Sequence, residues 1–280
     1  MARYDDLQAL KVAVENRVAW VTIDHPPINL FDVTLFLDLG RLVPLLEDDP
    51  DVEVIVFRSA DPEFFVAHAD VGWILTLPEA KPAPISEIGP FVALMERLRR
   101  MPKVSIGAIA GIARGGGSEL LLSLDMRFAA RGKTRLAQPE VALGIIPGGG
   151  GTQRLARLVG RARALEIVLG CGDVDADEAA AIGYVNRALD EAELLPFVRA
   201  LAERIAAMPA QAVRLAKDAV DCALPPVEPG LLAEGDRFNE SVALPEARER
   251  MREFLARGGQ TRDVELSLGA LLDELGGTPR

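Results

Sequence analysis

The chain has 280 residues, 49% of them hydrophobic and 26% charged, with a formal net charge of −11. These are globular values that allow a substantial core. The acidic balance excludes a general nucleic-acid or membrane-surface binder, which needs a basic face, although a local patch can still hold a polyanionic ligand. Cys171 and Cys222 make no disulfide framework; the alternatives are a single bridge and two reduced thiols, and the reduced pair is expected. His25 and His68 are the only histidines and belong to no Cys/His cluster, so no metal site of zinc spacing is expected. The opening MARYDDLQALKVAVENR lacks an apolar leader core and is too acidic for a transit peptide. No run approaches about 18 apolar residues, and a cytoplasmic protein that does not enter membranes is the expectation.

In chain order, VAWVTID (Val18 to Asp24) and VEVIVFRSA (Val52 to Ala60) are rich in β-branched residues and predict buried strands. Between them Leu35, Leu39, Leu42 and Leu46 recur at helical spacing, with Asp32 placed to cap the helix. LPEAKPAPISE (Leu77 to Glu87) is a proline-rich loop, PISEIGPFVALMERLRRM predicts a second helix, and KVSIGAIAG a third strand. SELLLSL predicts a short helix and MRFAAR a strand, and GTQRLARLVG and RARALEIVLG predict two helices separated by Gly160. From about Glu191 strand signals vanish and every segment is helical in period, including PAQAVRLAKDAVDCAL, PEARERMREFLARG and DVELSLGALLDELGG. The expected organisation is an α/β core over 1–195 followed by a helical section over 196–280.

Two glycine clusters stand out, Gly115-Gly116-Gly117 before Ser118-Glu119, and PGGGG about thirty residues on, shortly after Glu140. Glycines ahead of a helix leave N–H groups bare and let a ligand approach the main chain, where the helix end adds positive charge. That makes a phosphate cradle, an oxyanion hole, or only a tight turn. No phosphate-loop or dinucleotide fingerprint accompanies the glycines. Glu119 puts a carboxylate beside the bare amides, and an oxyanion donor next to a carboxylate base is what enolising a carbonyl compound requires.

FFVAHADVGWI, ARGGGSELLLSLDMRFA and QPEVALGIIPGGGGTQRL, in this order and spacing, resemble the crotonase family of enoyl-CoA hydratases and isomerases. HPPINLFD and GDVDADEAAAIGYVNRAL also look like family segments, and the likeness spans roughly residues 12–215. The resemblance implies an α/β spiral of repeated β-β-α turns with C-terminal helices that assemble a homotrimer or a dimer of trimers. It implies an acyl-CoA substrate, with coenzyme A entering as part of that substrate and no tightly bound cofactor. The thioester oxygen would meet the backbone N–H groups of Ala69 and Gly116, with Glu119 and Glu140 flanking the acyl chain. Ala67, His68, Asp70, Trp73, Gly115, Pro147 and Gly148 fall on the substrate side of the same blocks. Hydration of a 2-enoyl-CoA is the expected reaction. An isomerase, a thioester hydrolase and a non-catalytic acyl-CoA-binding scaffold are the alternatives.

Several residues depart from the pattern. His68 stands where the family has glycine between two alanines, and reads either as a pocket-wall donor or as a loop residue turned away. Arg114 replaces an apolar residue, and would make a surface ion pair or lie next to Glu119. Asp70 is expected to cap the helix that follows, Asp125 to be a structural acid, and Trp20 to be core. The runs Arg97-Arg99-Arg100-Lys103 and Arg154-Arg157-Arg161-Arg163 read as solvated helix faces or CoA-phosphate contacts, and Arg257 as a further CoA contact. The C-terminus runs longer than the family's, and its extra acidic helix suggests a subunit or lid contact.

Overall fold

Residues 3–276 are described by a computed structural model. The β-branched runs form the centre of a six-stranded sheet, in the order β1 (Leu10–Glu15), β2 (Val18–Ile23), β3 (Val54–Ser59), β5 (Val104–Ile109), β7 (Met126–Ala130) and β10 (Arg187–Leu189). A second sheet holds β4 (Phe64–Val66), β6 (Ile112–Arg114), β8 (Arg135–Ala137) and β9 (Val174–Asp175). Strands β2, β3, β5, β7 and β10 pair in parallel, as do β4, β6 and β8. The chain therefore gives one strand to each sheet, leaves through a helix and returns one step further on, which is the expected spiral of β-β-α turns.

The connecting helices are α1 (Val33–Glu47), α2 (Val71–Ile74), α3 (Pro90–Arg100), α4 (Gly116–Leu122), α5 (Gly151–Gly170) and α6 (Ala176–Ile182). Asp32 caps α1 by accepting from Leu35 N at 3.0 Å, as its position predicts. The second helix starts at Pro90 and not at Pro84. Proline disfavours helical backbone in the residue before it and suits the first helical position, and Gly89 accordingly stays extended. Gly160 has φ 78 and ψ 161, so α5 is two helices meeting at a kink, as read from the sequence.

The C-terminal helices are α7 (Glu191–Ala206), α8 (Ala210–Asp221), α9 (Glu228–Val242), α10 (Pro245–Ala256), α11 (Arg262–Leu266) and α12 (Leu268–Leu275). Helix α7 buries Leu194, Val198 and Ala202 against Trp20, Val56, Ile106 and Phe128 on one face of the large sheet. The other face meets Leu35, Leu39, Leu42, Met95 and Leu121 from α1, α3 and α4. Helices α10 and α12 pack Met251, Phe254, Leu268 and Leu272 onto Val71, Leu143 and Ile145. Burying a leucine stabilises by roughly 1.5–3 kcal/mol, so apolar area holds this end of the chain in place. The acidic tail segment, expected as one helix, breaks at Ser267 (φ −127, ψ 31) into α11 and α12.

Candidate active site

Gly115, Gly116 and Gly117 are required for three different reasons. Gly115 has φ 45 and ψ −121, a backbone that side chains resist, and a Cβ there would lie 2.5 Å from Glu140 Oε1. A Cβ on Gly116 would come within 3.0 Å of Ala69 Cβ and 3.2 Å of Ala69 N. One on Gly117 would overlap the Val66 carbonyl. The turn from β6 into α4 thus runs hard against the chain leaving β4, and the two predicted oxyanion positions come together. Neither Ala69 N nor Gly116 N donates a hydrogen bond to another described residue, and Gly116 begins α4, where an N–H has no acceptor within the helix.

Glu119 lies one turn into α4 and is 4% exposed. Its Oε1 accepts from Gly149 N at 2.6 Å and Gly151 N at 2.9 Å, at the start of α5. Glu234 of α9 takes the amides in between: Gly150 N donates to it at 2.5 Å and Thr152 N at 2.9 Å, and the Thr152 hydroxyl binds it too. Two carboxylates therefore interleave on one helix N-terminus. Burial and the Glu234 charge push the Glu119 carboxyl up to about 7, while Gly151 N, Gly149 N and Arg154 pull against that rise. Arg154, itself buried, is fixed by Gly149 O at 2.7 Å and Glu96 at 2.6 Å.

Glu140 opens a 3-10 turn over Glu140–Leu143. Its Oε2 is buried and has no hydrogen-bond partner among the described residues. Burial, then the Glu119 charge, raises its carboxyl well above the usual carboxylate range. The two predicted acids thus differ: amides oppose the upward shift of Glu119, which reaches about 7, whereas at Glu140 burial and the Glu119 charge drive the carboxyl well above the usual range. A small cavity of about 40 Å³ is lined by His68, Ala69 and Glu140 on one side and by Phe254, Leu268 and Leu272 on the other.

His68 is 6% exposed, and both its ring nitrogens are engaged. Nδ1 donates to Ala69 O at 2.7 Å, and Nε2 meets Glu265 Oε1 at 3.0 Å. Arg114 is neither a surface residue nor bonded to Glu119. It is 1% exposed, forks onto Asp173 at 2.7 Å twice, and donates from Nη1 to Glu265 O at 2.8 Å.

Ala67 is buried, and its carbonyl accepts from Arg114 N at 3.0 Å. Asp70 caps α2 through Gly72 N at 2.8 Å and also accepts from Gln260 Nε2 at 3.0 Å. Trp73 packs on Phe36, with ring centroids 5.6 Å apart. Pro147 lies against Gly151, and Gly148 lies under the Phe238 ring. Ser118 Oγ bonds the Tyr184 hydroxyl deep in the core, which suits packing and not nucleophilic attack. Asp125 accepts from Ser105 N and Lys217, and Trp20 is buried, as expected. Within the basic runs Arg97 pairs with Glu47, Arg99 with Asp221, Arg100 with Glu228 and Arg163 with Glu166. Arg257 pairs with Glu253 and Glu274. Sequence reasoning missed Glu234, Gln260 and Glu265, which lie in helical stretches or turns with no local signature.

Residues 13–260 match the family model described as enoyl-CoA hydratase/isomerase. A crotonyl-CoA hydratase of Syntrophomonas wolfei is 35% identical over 245 residues, covering 87% of this chain and 93% of the relative. A short-chain-enoyl-CoA hydratase of Clostridium acetobutylicum is 32% identical with the same coverage. A crystal structure from Streptomyces avermitilis superposes with a TM-score of 0.89 at 39% identity, covering 97% of this chain and 99% of that one. Pseudomonas aeruginosa DspI is 32% identical with a TM-score of 0.70, covering 90% of this chain and 98% of that one.

Proposed function

The chain belongs to the enoyl-CoA hydratase/isomerase family, and from that premise we propose that it adds water across the double bond of 2-enoyl-CoA thioesters. The observation that carries this reading is the pair of acids, Glu119 buried and Glu140 with a buried Oε2, beside the uncommitted amides of Ala69 and Gly116. Ala69 N–H and Gly116 N–H hold the thioester oxygen. Glu119, the acid held by two amides, takes a proton from water as the oxygen bonds to the β-carbon. The double-bond electrons move toward the thioester oxygen as an enolate, which the two amides stabilise. Glu140, whose carboxyl lies well above the usual range, protonates the α-carbon, and the thioester carbonyl reforms. A proton passing from Glu119 to Glu140 restores the starting state, so the net change is one water added.

An isomerase or hydrolase would diverge at the oxyanion loop, where His68 stands. With Nδ1 on Ala69 O and Nε2 at Glu265, that ring has no nitrogen left for a substrate. Assembly as a homotrimer or dimer of trimers is part of the proposal. It is supported by α8, which exposes Leu215 and Val220 in the single chain, with Leu224 exposed just beyond its end. No helix among the described residues is long and apolar enough to cross a membrane, and a cytoplasmic location accords with the reduced cysteines expected. Purified protein given crotonyl-CoA tests the reading. Loss of the conjugated-thioester absorbance with 3-hydroxyacyl-CoA as product supports it, whereas release of free CoA, or binding without turnover across a panel of enoyl-CoAs, overturns it.

A further inference from the structure

Three features singled out in the sequence, His68, Arg114 and the C-terminal segment, meet at one residue, Glu265. It is fully buried, with 0% exposure, and lies beyond residue 260, where the family match stops. Its Oε1 meets His68 Nε2 at 3.0 Å and accepts from Gln260 N at 3.0 Å. Its main-chain carbonyl accepts from Arg114 Nη1 at 2.8 Å. His68 immediately precedes Ala69, and Arg114 stands two residues before Gly116. Gln260 adds a second tie, accepting from Val71 N and donating to Asp70 Oδ1, each at 3.0 Å.

We propose that Glu265 is a positioning residue for the oxyanion hole: its side chain holds the Ala69 loop through His68, its carbonyl holds the Gly116 turn through Arg114, and α11 thereby sets the spacing of the two amides. The inference rests on Ala69 and Gly116 being the donors of the proposed reaction. The chemistry of the contact is specific. Both groups that face the His68 ring, Ala69 O and the Glu265 carboxylate, accept hydrogen bonds, so both ring nitrogens carry protons and the ring is a cation. Burial alone would lower its pKa, but the Glu265 charge and hydrogen bond outweigh that and raise it. Burial opposes the Glu265 charge as well, and His68, Gln260 N and Arg114 together hold that carboxyl below its usual range. Breaking one side of such a pair leaves an uncompensated buried charge, so the loop and the C-terminal segment move together or not at all. Helix α11 leads through the break at Ser267 into α12, whose Leu268 and Leu272 line the cavity next to Glu140. This segment therefore borders the hole and its adjoining pocket at once.

The test reads carbonyl polarisation separately from turnover. A slowly hydrated 4-(dimethylamino)cinnamoyl-CoA shifts its absorbance to the red when two N–H groups pull on its thioester oxygen. Glu265→Ala should lose most of that shift and lower kcat on crotonyl-CoA by about tenfold to a hundredfold, the scale of a small misplacement of a reacting group. KM should stay within about threefold, because the loss falls in the transition state. Glu265→Gln, which still accepts from His68, should recover most of both. Should Glu265→Ala fail to fold, Gln260→Ala decides: a smaller red shift and a several-fold lower kcat support the proposal. Wild-type shift and kcat in either folded variant, measured below its melting temperature, overturn it and leave the ion pair a structural one. Wild-type protein that shifts the probe but does not hydrate crotonyl-CoA contradicts the hydratase reading while the shift still judges the clamp.

Discussion

A carboxylate that takes a proton from water and a carboxyl that gives one to carbon need different surroundings, and Glu119 and Glu140 have them. Glu119 accepts from two amides, while Glu140 lines the cavity with a buried oxygen that has no hydrogen-bond partner among the described residues. The rate should therefore rise with pH through about 7 as Glu119 ionises, and fall wherever the Glu140 carboxyl, raised by burial, gives up its proton. Because the acids interact, each limb belongs to the cluster. The same rise has a stability sign. The folded state binds the Glu119 proton more tightly than the unfolded chain does, so stability is lost as pH climbs from 4.5 past about 7. Glu119→Gln should melt higher than wild type at pH 8 and show little gain at pH 5. At Gly116, a methyl group would stand 3.2 Å from Ala69 N. Gly116→Ala should cost about a hundredfold or more in kcat, on the order of 3 kcal/mol for one lost oxyanion donor, as steady-state kinetics would reveal.

At the scale of elements, the start of α5 is the junction that sets the Glu119 proton affinity. Glu234 shares its amides and adds a negative charge near Glu119. Glu234→Gln removes that charge, so the acid limb of the pH–rate profile should move to lower pH, and an unmoved limb would refute the coupling. The glycine runs, the Glu119 and Glu140 blocks, the Asp32 cap and the Gly160 break were all legible because each is local: a backbone demand or a periodicity leaves its mark within a few residues. Glu234 and Glu265 were not, since a buried acid finds its partners across 82 or 197 positions and nothing in its own helix distinguishes it from a solvated one. Strands such as β4, β6 and β9, two or three residues long, are too short to show a period of two. In the sequence His68 and Arg114 stand out only as exceptions, because their shared partner Glu265 lies in the distant C-terminal segment.

Over the whole molecule, the C-terminal helices divide their work. Helices α9 to α12 close back on the site of their own chain, and α7 lies on the large sheet. Helix α8 buries none of its residues, and Leu215 and Val220 are 54% and 69% exposed. Changing both to glutamate should convert an assembly of three or six chains into a smaller species by light scattering, and wild-type assembly in that variant would place the interface elsewhere. The spiral, in turn, has one consequence on which the proposed reaction depends: it lays the turn after β4 against the turn after β6, with an acid following on α4 and another after β8. The most direct measurement compares crotonyl-CoA hydration by wild type, Glu119→Gln and Glu140→Gln at one pH. Each variant should be slower by about 10² to 10⁴ while still binding the thioester. Either variant hydrating at the wild-type rate would contradict a mechanism that assigns the two protons to these two acids.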